Sequence, residues 1–268
     1  NRQWYVIANC TSTGETSAYE NTHIPADELK GLTVFATAYG REVSFKLTVD
    51  ELEISADGDD MDIALPAKPT VELLRGSGAA YMEGRSESEF APEQQITRAE
   101  AVTLIYRCLT PESRESLTER AYYADVTRGA WYYEPVSTLT GAELIDGDAG
   151  YFRPDEAITR GDFITLAVKA YGAEEYYGVD YFNDTSHTPR RGYINAAARL
   201  GLVTGYPDGG FHPYSGLTRA EAVTIINGLL HRNSSYGRTI NAKTWPDVVE
   251  GTWYFEDVKY ATAYFEAY

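Results

Sequence analysis

ITRAEAVTLIYRCL, from Ile96 to Leu109, is the stretch that decides the fold, because the chain writes it three times. ITRGDFITLAVKAYG follows from Ile158 to Gly172, and LTRAEAVTIINGLL from Leu217 to Leu230. Each copy opens as a helix does. Thr97, Thr159 and Thr218 stand at the N-cap position, and an acid follows three residues on (Glu100, Asp162, Glu221), making or approximating a capping box. Apolar residues then recur at helical spacing: Ala101, Leu104, Ile105 and Cys108 in the first copy, Ala222, Ile225, Ile226 and Leu229 in the third. Three such stripes can share one core.

Outward from each helix the likeness continues. Phe90, Phe152 and Phe211 precede the helices, and so do Pro92, Pro154 and Pro213, both in step with Arg98, Arg160 and Arg219, which are spaced 62 and 59 residues apart. The copies begin at Gly84, Gly147 and Gly205, in loops whose glycines are turn material. A second half-unit precedes two of the copies and also ends the chain: YYADVTRGAWYYEPV from Tyr122, YFNDTSHTPRRGYI from Tyr181 and WPDVVEGTWYFEDV from Trp245, marked by Asp125, Asp184 and Asp247. No such half precedes Gly84. Two orphan halves make one whole, so the spacing predicts that the last helix folds back, completes the first unit and closes a ring of three. Completion of a neighbouring molecule's unit, which would build a polymer, and a chain simply cut at this point are the competing readings. Each unit is helix–loop–helix and too small to bury its own face alone, which a shared core solves.

An arginine in the first turn of every copy opposes the helix dipole. One reading makes Arg98, Arg160 and Arg219 grips for ligand carboxylates beside helix N-termini with free N–H groups. The other has each arginine pair with a neighbouring unit's acid, such as Asp125, Asp184 or Asp247, and lock the ring. The residues alone leave both open.

YADV, PDGGFHP, ITRAE, ITRGD and LTRAE together resemble S-layer homology domains, over about residues 76 to 268. The resemblance implies a mainly α-helical, pseudo-threefold bundle that binds pyruvylated secondary cell-wall polysaccharide in grooves between units, with the ketal carboxylate meeting the arginine. Carried over by position, it implies a ligand-binding set of Arg98, Arg160 and Arg219, Asp125, Asp184 and Asp247, Gly84, Gly147 and Gly205, and Trp131 and Trp253. The third unit has Pro189 where the tryptophan belongs, followed by Arg190 and Arg191. The second has ITRGD and a loop one residue shorter. The first loop, RSESEF, lacks the family's Asp-Gly. Such departures put at least one groove in doubt.

Residues 1 to about 65 read differently. WYVIA, LTVFATA and the alternation Val43, Phe45, Leu47, Val49 are strand signals, ending at LPAKP. The expected fold class is therefore α+β: a small β-rich, Ig-like domain and linker over 1–75, then three units over 76–268. The first unit, 76–121, is completed by 245–268; the second spans 122–179 and the third 180–244. The acidic run Asp57 to Asp62 lacks the twelve-residue calcium-loop spacing and reads as a solvated turn, so no metal and no cofactor are expected. Cys10 and Cys108 form no CxxC; Cys108 reads as a small buried hydrophobe rather than half of a bridge.

With 40 acidic and 23 basic residues the formal net charge is -17. That balance argues against a nucleic-acid partner or an anionic membrane, either of which requires a basic surface. No apolar run approaches the ~18 residues of a bilayer span. Asn1 in place of Met reads as a processed or cut chain. The four histidines are scattered, and GxSxG, HExxH and P-loop motifs are missing, so no enzyme is read here. The expected function is non-covalent, extracellular anchoring to the cell wall or S-layer of a Gram-positive-type envelope. A subunit that assembles with copies of itself into a lattice or filament is the alternative, and an exported enzyme lacking its catalytic domain the third.

Overall fold

The computed structural model describes residues 71–120 and 123–268, with four strand segments nearer the N-terminus. The chain divides into two compact units, Asn1–Ala67 and Lys68–Tyr268. In the first, β1 (Thr11–Ser12) pairs with β2 (Glu15–Thr16), and β3 (Thr33–Ala38) with β4 (Arg41–Lys46), both antiparallel. The Ig-like reading, the acidic run Asp57–Asp62 and Cys10 lie outside the described residues. Val71 to Gly78, assigned above in part to the linker, joins the second unit: Leu74 N–H donates to Cys108 O, and Gly78 pairs with Phe265.

The second unit is mainly helical. Its helices are α1 (Arg98–Arg107), α2 (Pro111–Ser116), α3 (Tyr133–Gly141), α4 (Arg160–Tyr171), α5 (Arg191–Arg199), α6 (Arg219–Leu230) and α7 (Phe255–Thr262). The hairpin of β5 (Gly237–Ile240) and β6 (Tyr264–Ala267) lies beside them. Thr97 and Thr218 cap α1 and α6 with complete capping boxes. Thr159 caps α4, but Asp162 is one methylene too short to return the bond. Each threonine cap is worth about 1 kcal/mol.

The inner helices α1, α4 and α6 carry the repeated apolar stripes, and α3, α5 and α7 cover them in turn. Phe90, Phe152 and Phe211 are fully buried among them, each contributing roughly 1.5–3 kcal/mol through burial. Just before the inner helices the three segments meet in a closed triangle. Ile96 N–H donates to Leu217 O, Ile158 N–H to Ile96 O and Leu217 N–H to Ile158 O, each at 3.0 Å.

The terminal half-unit meets the first copy within the same chain. Asp247 accepts from Phe90 N (3.0 Å) and Ala91 N (2.6 Å), and the Trp245 ring packs on Phe90 at 5.5 Å. Meanwhile α7 lies on α6. Each half-unit thus bridges two neighbouring spokes, and the last bridges third and first.

Candidate functional site: three grooves around the ring

Arginine and aspartate take hold of the same residue from its two ends in every copy. Asp125 accepts from the N–H groups of Phe152 (2.8 Å) and Arg153 (2.7 Å), and Asp184 from Phe211 (2.8 Å) and His212 (2.7 Å). The carbonyls of those phenylalanines accept from the arginines of the preceding helix. Arg98 Nε donates to Phe152 O at 2.7 Å, Arg160 Nε to Phe211 O at 3.0 Å, and Arg219 Nε to Phe90 O at 2.8 Å, closing the circle. Each guanidinium also lies over the phenylalanine ring at 4.6–4.9 Å. Hydrogen bonds from the amides of Phe152 and Arg153 outweigh the effect of burial and hold the Asp125 carboxyl below its ordinary value.

Both readings of the arginine are therefore modified. It does lock the ring, but onto a backbone carbonyl and not onto Asp125, Asp184 or Asp247. Nor are the helix N–H groups available to an anion. Arg98 N donates to Glu156 O and Ala99 N to Pro154 O; Arg160 and Gly161 use Ser215 O and Pro213 O; Arg219 and Ala220 use Gln94 O and Pro92 O. The third amide of each helix goes to its threonine cap. Of Arg98 and Arg219 only the outer Nη face is left open, while Arg160 pairs through Nη1 with Glu221 at 2.9 Å.

Gly84, Arg219 and Trp131 come together in one groove, walled by Arg85 and by Glu100, Thr103, Leu104 and Arg107 of α1. Trp131 stands 62% exposed there, a stacking face held at the rim. The hollow around Arg98 is built alike, from Asp146, Phe152 and Arg190 with Asp162, Thr165, Leu166 and Lys169 of α4. α1 thus serves two grooves: Arg98 faces one, and the stripe Glu100, Thr103 and Arg107 at i, i+3 and i+7 faces the other; Asp162, Thr165 and Lys169 repeat the stripe on α4, whereas on α6 its third place is Gly228. Asp247 lines a different hollow, with Arg85, Glu89, Ala91, Pro92 and Tyr254, and Asp184 lines one with His212 to Ser215. These aspartates shape the loops from behind.

The S-layer homology domain model matches residues 67–102, 122–164 and 181–223, one match for each inner helix and its loop. The chain carries three S-layer homology domains.

Sequence comparison finds the same domains attached to other proteins. The chain is 32% identical over 63% of its length to an exoglucanase, XynX, of Acetivibrio thermocellus, covering 16% of that protein. It is 29% identical over 70% of its length to a cellulosome-anchoring protein of the same species, covering 43%. It is 24% identical over 75% of its length to a surface-layer 125 kDa protein of Lysinibacillus sphaericus, covering 17%. The chain thus spans less than half the length of these relatives.

In these S-layer homology domains the repeated glycines answer to packing. A Cβ on Gly84 would lie 2.5 Å from Trp245 Nε1 and 2.8 Å from two loop carbonyls, those of Ser86 and Glu89. On Gly147 it would enter the Tyr123 ring and stand 2.6 Å from Tyr151 O, and on Gly205 it would enter the Phe182 ring. Gly147→Ala should therefore cost about 1–3 kcal/mol, seen as a melting temperature lowered by about 2–4 °C for each kcal/mol. An unchanged melting curve would contradict this packing account.

Trp131 and Trp253 each directly precede the N-cap residue of an outer helix, Tyr132 and Tyr254. Counting back from Arg190, the N-cap of α5, gives Pro189 at that place in the third domain. Arg190 turns instead to Asp162 at 2.9 Å. Sequence reasoning missed Arg85, Arg107, Lys169, Tyr206 and Glu221 as groove residues. For Arg107, Lys169 and Glu221 the signal was present in the stripes Glu100/Thr103/Arg107, Asp162/Thr165/Lys169 and Glu221/Thr224, polar residues at helical spacing on a face the apolar stripe does not use; Arg85 and Tyr206 share the place directly after the loop glycines Gly84 and Gly205.

Proposed function

We propose that this chain anchors a bacterial surface protein non-covalently to the cell wall by binding an anionic, pyruvylated secondary cell-wall polysaccharide in the grooves between its units. Its S-layer homology domains belong at the extracellular wall, and no helix among the described residues is long and apolar enough to cross a membrane. The observation that carries the reading is a guanidinium with its outer face toward a groove that also presents an exposed tryptophan, in a chain whose overall charge would repel anions. Arginine gives a carboxylate a charge-assisted contact and the indole stacks on a sugar face. Within this reading Arg98 and Arg219 contact ligand and Trp131 stacks on it, Arg160 and Trp253 hold the corresponding places of the third groove, and the glycines and aspartates shape the loops. The unit boundaries proposed with it are 76–121 with 245–268, then 122–179 and 180–244. The chain acts without catalysis, and the relatives named as enzymes share only a small part of their length with it.

The relatives named as surface-layer proteins favour a second reading, a lattice subunit that assembles with copies of itself. Both are tested on purified wall, before and after mild acid removes its pyruvate ketals. Anchoring predicts retention on untreated wall, loss on treated wall, and weaker retention of Trp131→Ala, whose exposed ring can be removed with little effect on folding. Equal retention on treated and untreated wall would overturn the ketal reading. Ordered sheets of purified protein by electron microscopy, without any wall, would establish the lattice alternative.

A further inference from the structure

The three grooves repeat in outline but not in charge. In the groove of Gly84 and Trp131, Arg219 is 5% exposed and Arg107 stands on the α1 wall. Arg219 donates to Phe90 O and, through Nη2 at 2.6 Å, to Glu83 O; Arg107 donates to Tyr81 O at 3.3 Å. Among the described residues neither guanidinium meets a carboxylate within salt-bridge distance; Glu100 is occupied by Arg85. Burial first, and the neighbouring Arg85 second, press the Arg219 guanidinium down to about 10, still protonated at neutral pH but short of counter-charge. On the same wall Thr103 is 8% exposed, and its hydroxyl has no hydrogen-bond partner among the described residues. A buried hydroxyl left unpaired costs free energy that a ligand can recover.

The Arg98 groove is partly compensated. Lys169 lies 3.7 Å from Asp146 and Arg190 2.9 Å from Asp162, and Thr165 donates to Gly161 O, so Arg98 alone lacks an acid partner there. At the third groove compensation is complete. Arg160 pairs with Glu221 at 2.9 Å with both side chains largely buried, and the Tyr206 ring covers the guanidinium at 4.6 Å. Tyr206 donates its hydroxyl to Glu221. The basic position of the stripe is Gly228 there, and Thr224 is taken by Asp257.

We propose that the groove of Gly84, Arg107, Trp131 and Arg219 is the primary seat for an acidic sugar, that the Arg98 groove is secondary, and that Tyr206 and Glu221 close the Arg160 groove to ligand. The inference rests on the glycan reading above and ranks its sites. Thr103 and Arg107, outside the repeated arginine motif, become specificity residues of the first groove.

The test uses the full chain with labelled indole nitrogens, titrated with a pyruvate-ketal methyl hexoside and followed by nuclear magnetic resonance. Trp131 and Trp253 precede the helices that cover α1 and α6, and so report on the first and third grooves. The Trp131 signal should move saturably while that of Trp253 stays still. Arg107→Gln and Thr103→Val should each weaken the Trp131 response about tenfold or more, the loss expected for a hydrogen bond to a charged group. Tyr206→Ala combined with Glu221→Gln, which keeps a capping-box residue, should make Trp253 respond. Equal movement of both indoles in the unmodified chain would overturn the ranking and leave the glycan reading standing. No movement of either would overturn both.

Discussion

A chain with alanine at 98, 160 and 219 is expected to lose its closed ring, and with it the cooperative melting of the helical unit. Each arginine supplies a charge-assisted hydrogen bond to the carbonyl of a phenylalanine buried to within 1%. Arg98 and Arg219 each donate a second bond, to the carbonyls of Asp146 and Glu83. Hydrogen bonds to charged groups are worth about 1.5–3 kcal/mol each, and the carbonyls left behind add their own penalty. The three losses together reach on the order of 6–9 kcal/mol, against a typical total of 5–15 kcal/mol for a folded domain. Circular dichroism melts of the triple variant should show either no transition or one lowered by more than about 15 °C. Single variants should rank by burial: Arg98, at the partly exposed site, should cost least. A triple variant that melts like the unmodified chain would mean that these arginines face ligand only. For the same reason, loss of wall binding by this variant would not by itself identify a binding residue.

Asp247→Ala should produce the second large effect. The carboxylate holds two amides, Phe90 and Ala91, across a sequence separation of 157 and 156 residues. Removing it leaves both donors unpaired in a partly buried loop, costing roughly 2–4 kcal/mol. It also frees the residue that pins the terminal half-unit to the first spoke. Asp125 and Asp184 hold equivalent amides across only 27 and 28 residues. Their removal loosens a local loop, whereas removal of Asp247 opens the circle. Hydrogen exchange should then show early opening of residues 245–268 together with the loop at Phe90, and of Asp125→Ala only its own loop. Uniform exchange in both variants would contradict this division.

Much of this architecture is legible in the sequence. The threonine caps with acids three residues on mark the starts of α1, α4 and α6 to the residue, because capping is local chemistry. The stripes of Ala101, Leu104, Ile105 and Cys108 and of their counterparts name the core, because a helix that shares its core must keep its apolar spacing. The orphan half-unit at the chain's end pointed to where Asp247 now lies. The partners of the polar residues could not be read in the same way. Nothing in the sequence says that Arg160 faces Phe211 O rather than Asp184, since the fold brings the two to one junction, where Asp184 accepts from the N–H of the same phenylalanine. That Glu221 answers Arg160 while Glu100 answers Arg85 depends on which residue follows the loop glycine: the cationic Arg85 in the first domain, the neutral Tyr206 in the third. The departures inside the repeated motif, Pro189 in place of tryptophan among them, were legible and put at least one groove in doubt; the differences in charge lie at positions outside it, such as Arg85, Arg107 and Tyr206.

The triangle formed by Ile96, Ile158 and Leu217 sets a limit on how such modules can multiply. Each of its corners both gives and receives one main-chain bond, so no donor or acceptor is left over to admit a fourth member. An open stack of repeats can lengthen by one at a time and needs caps at its ends. This arrangement cannot; duplication of a single module would leave it stranded outside the circle. Evolution can raise the avidity of such a protein only by adding another complete triplet on the same polypeptide, or by bringing two polypeptides side by side.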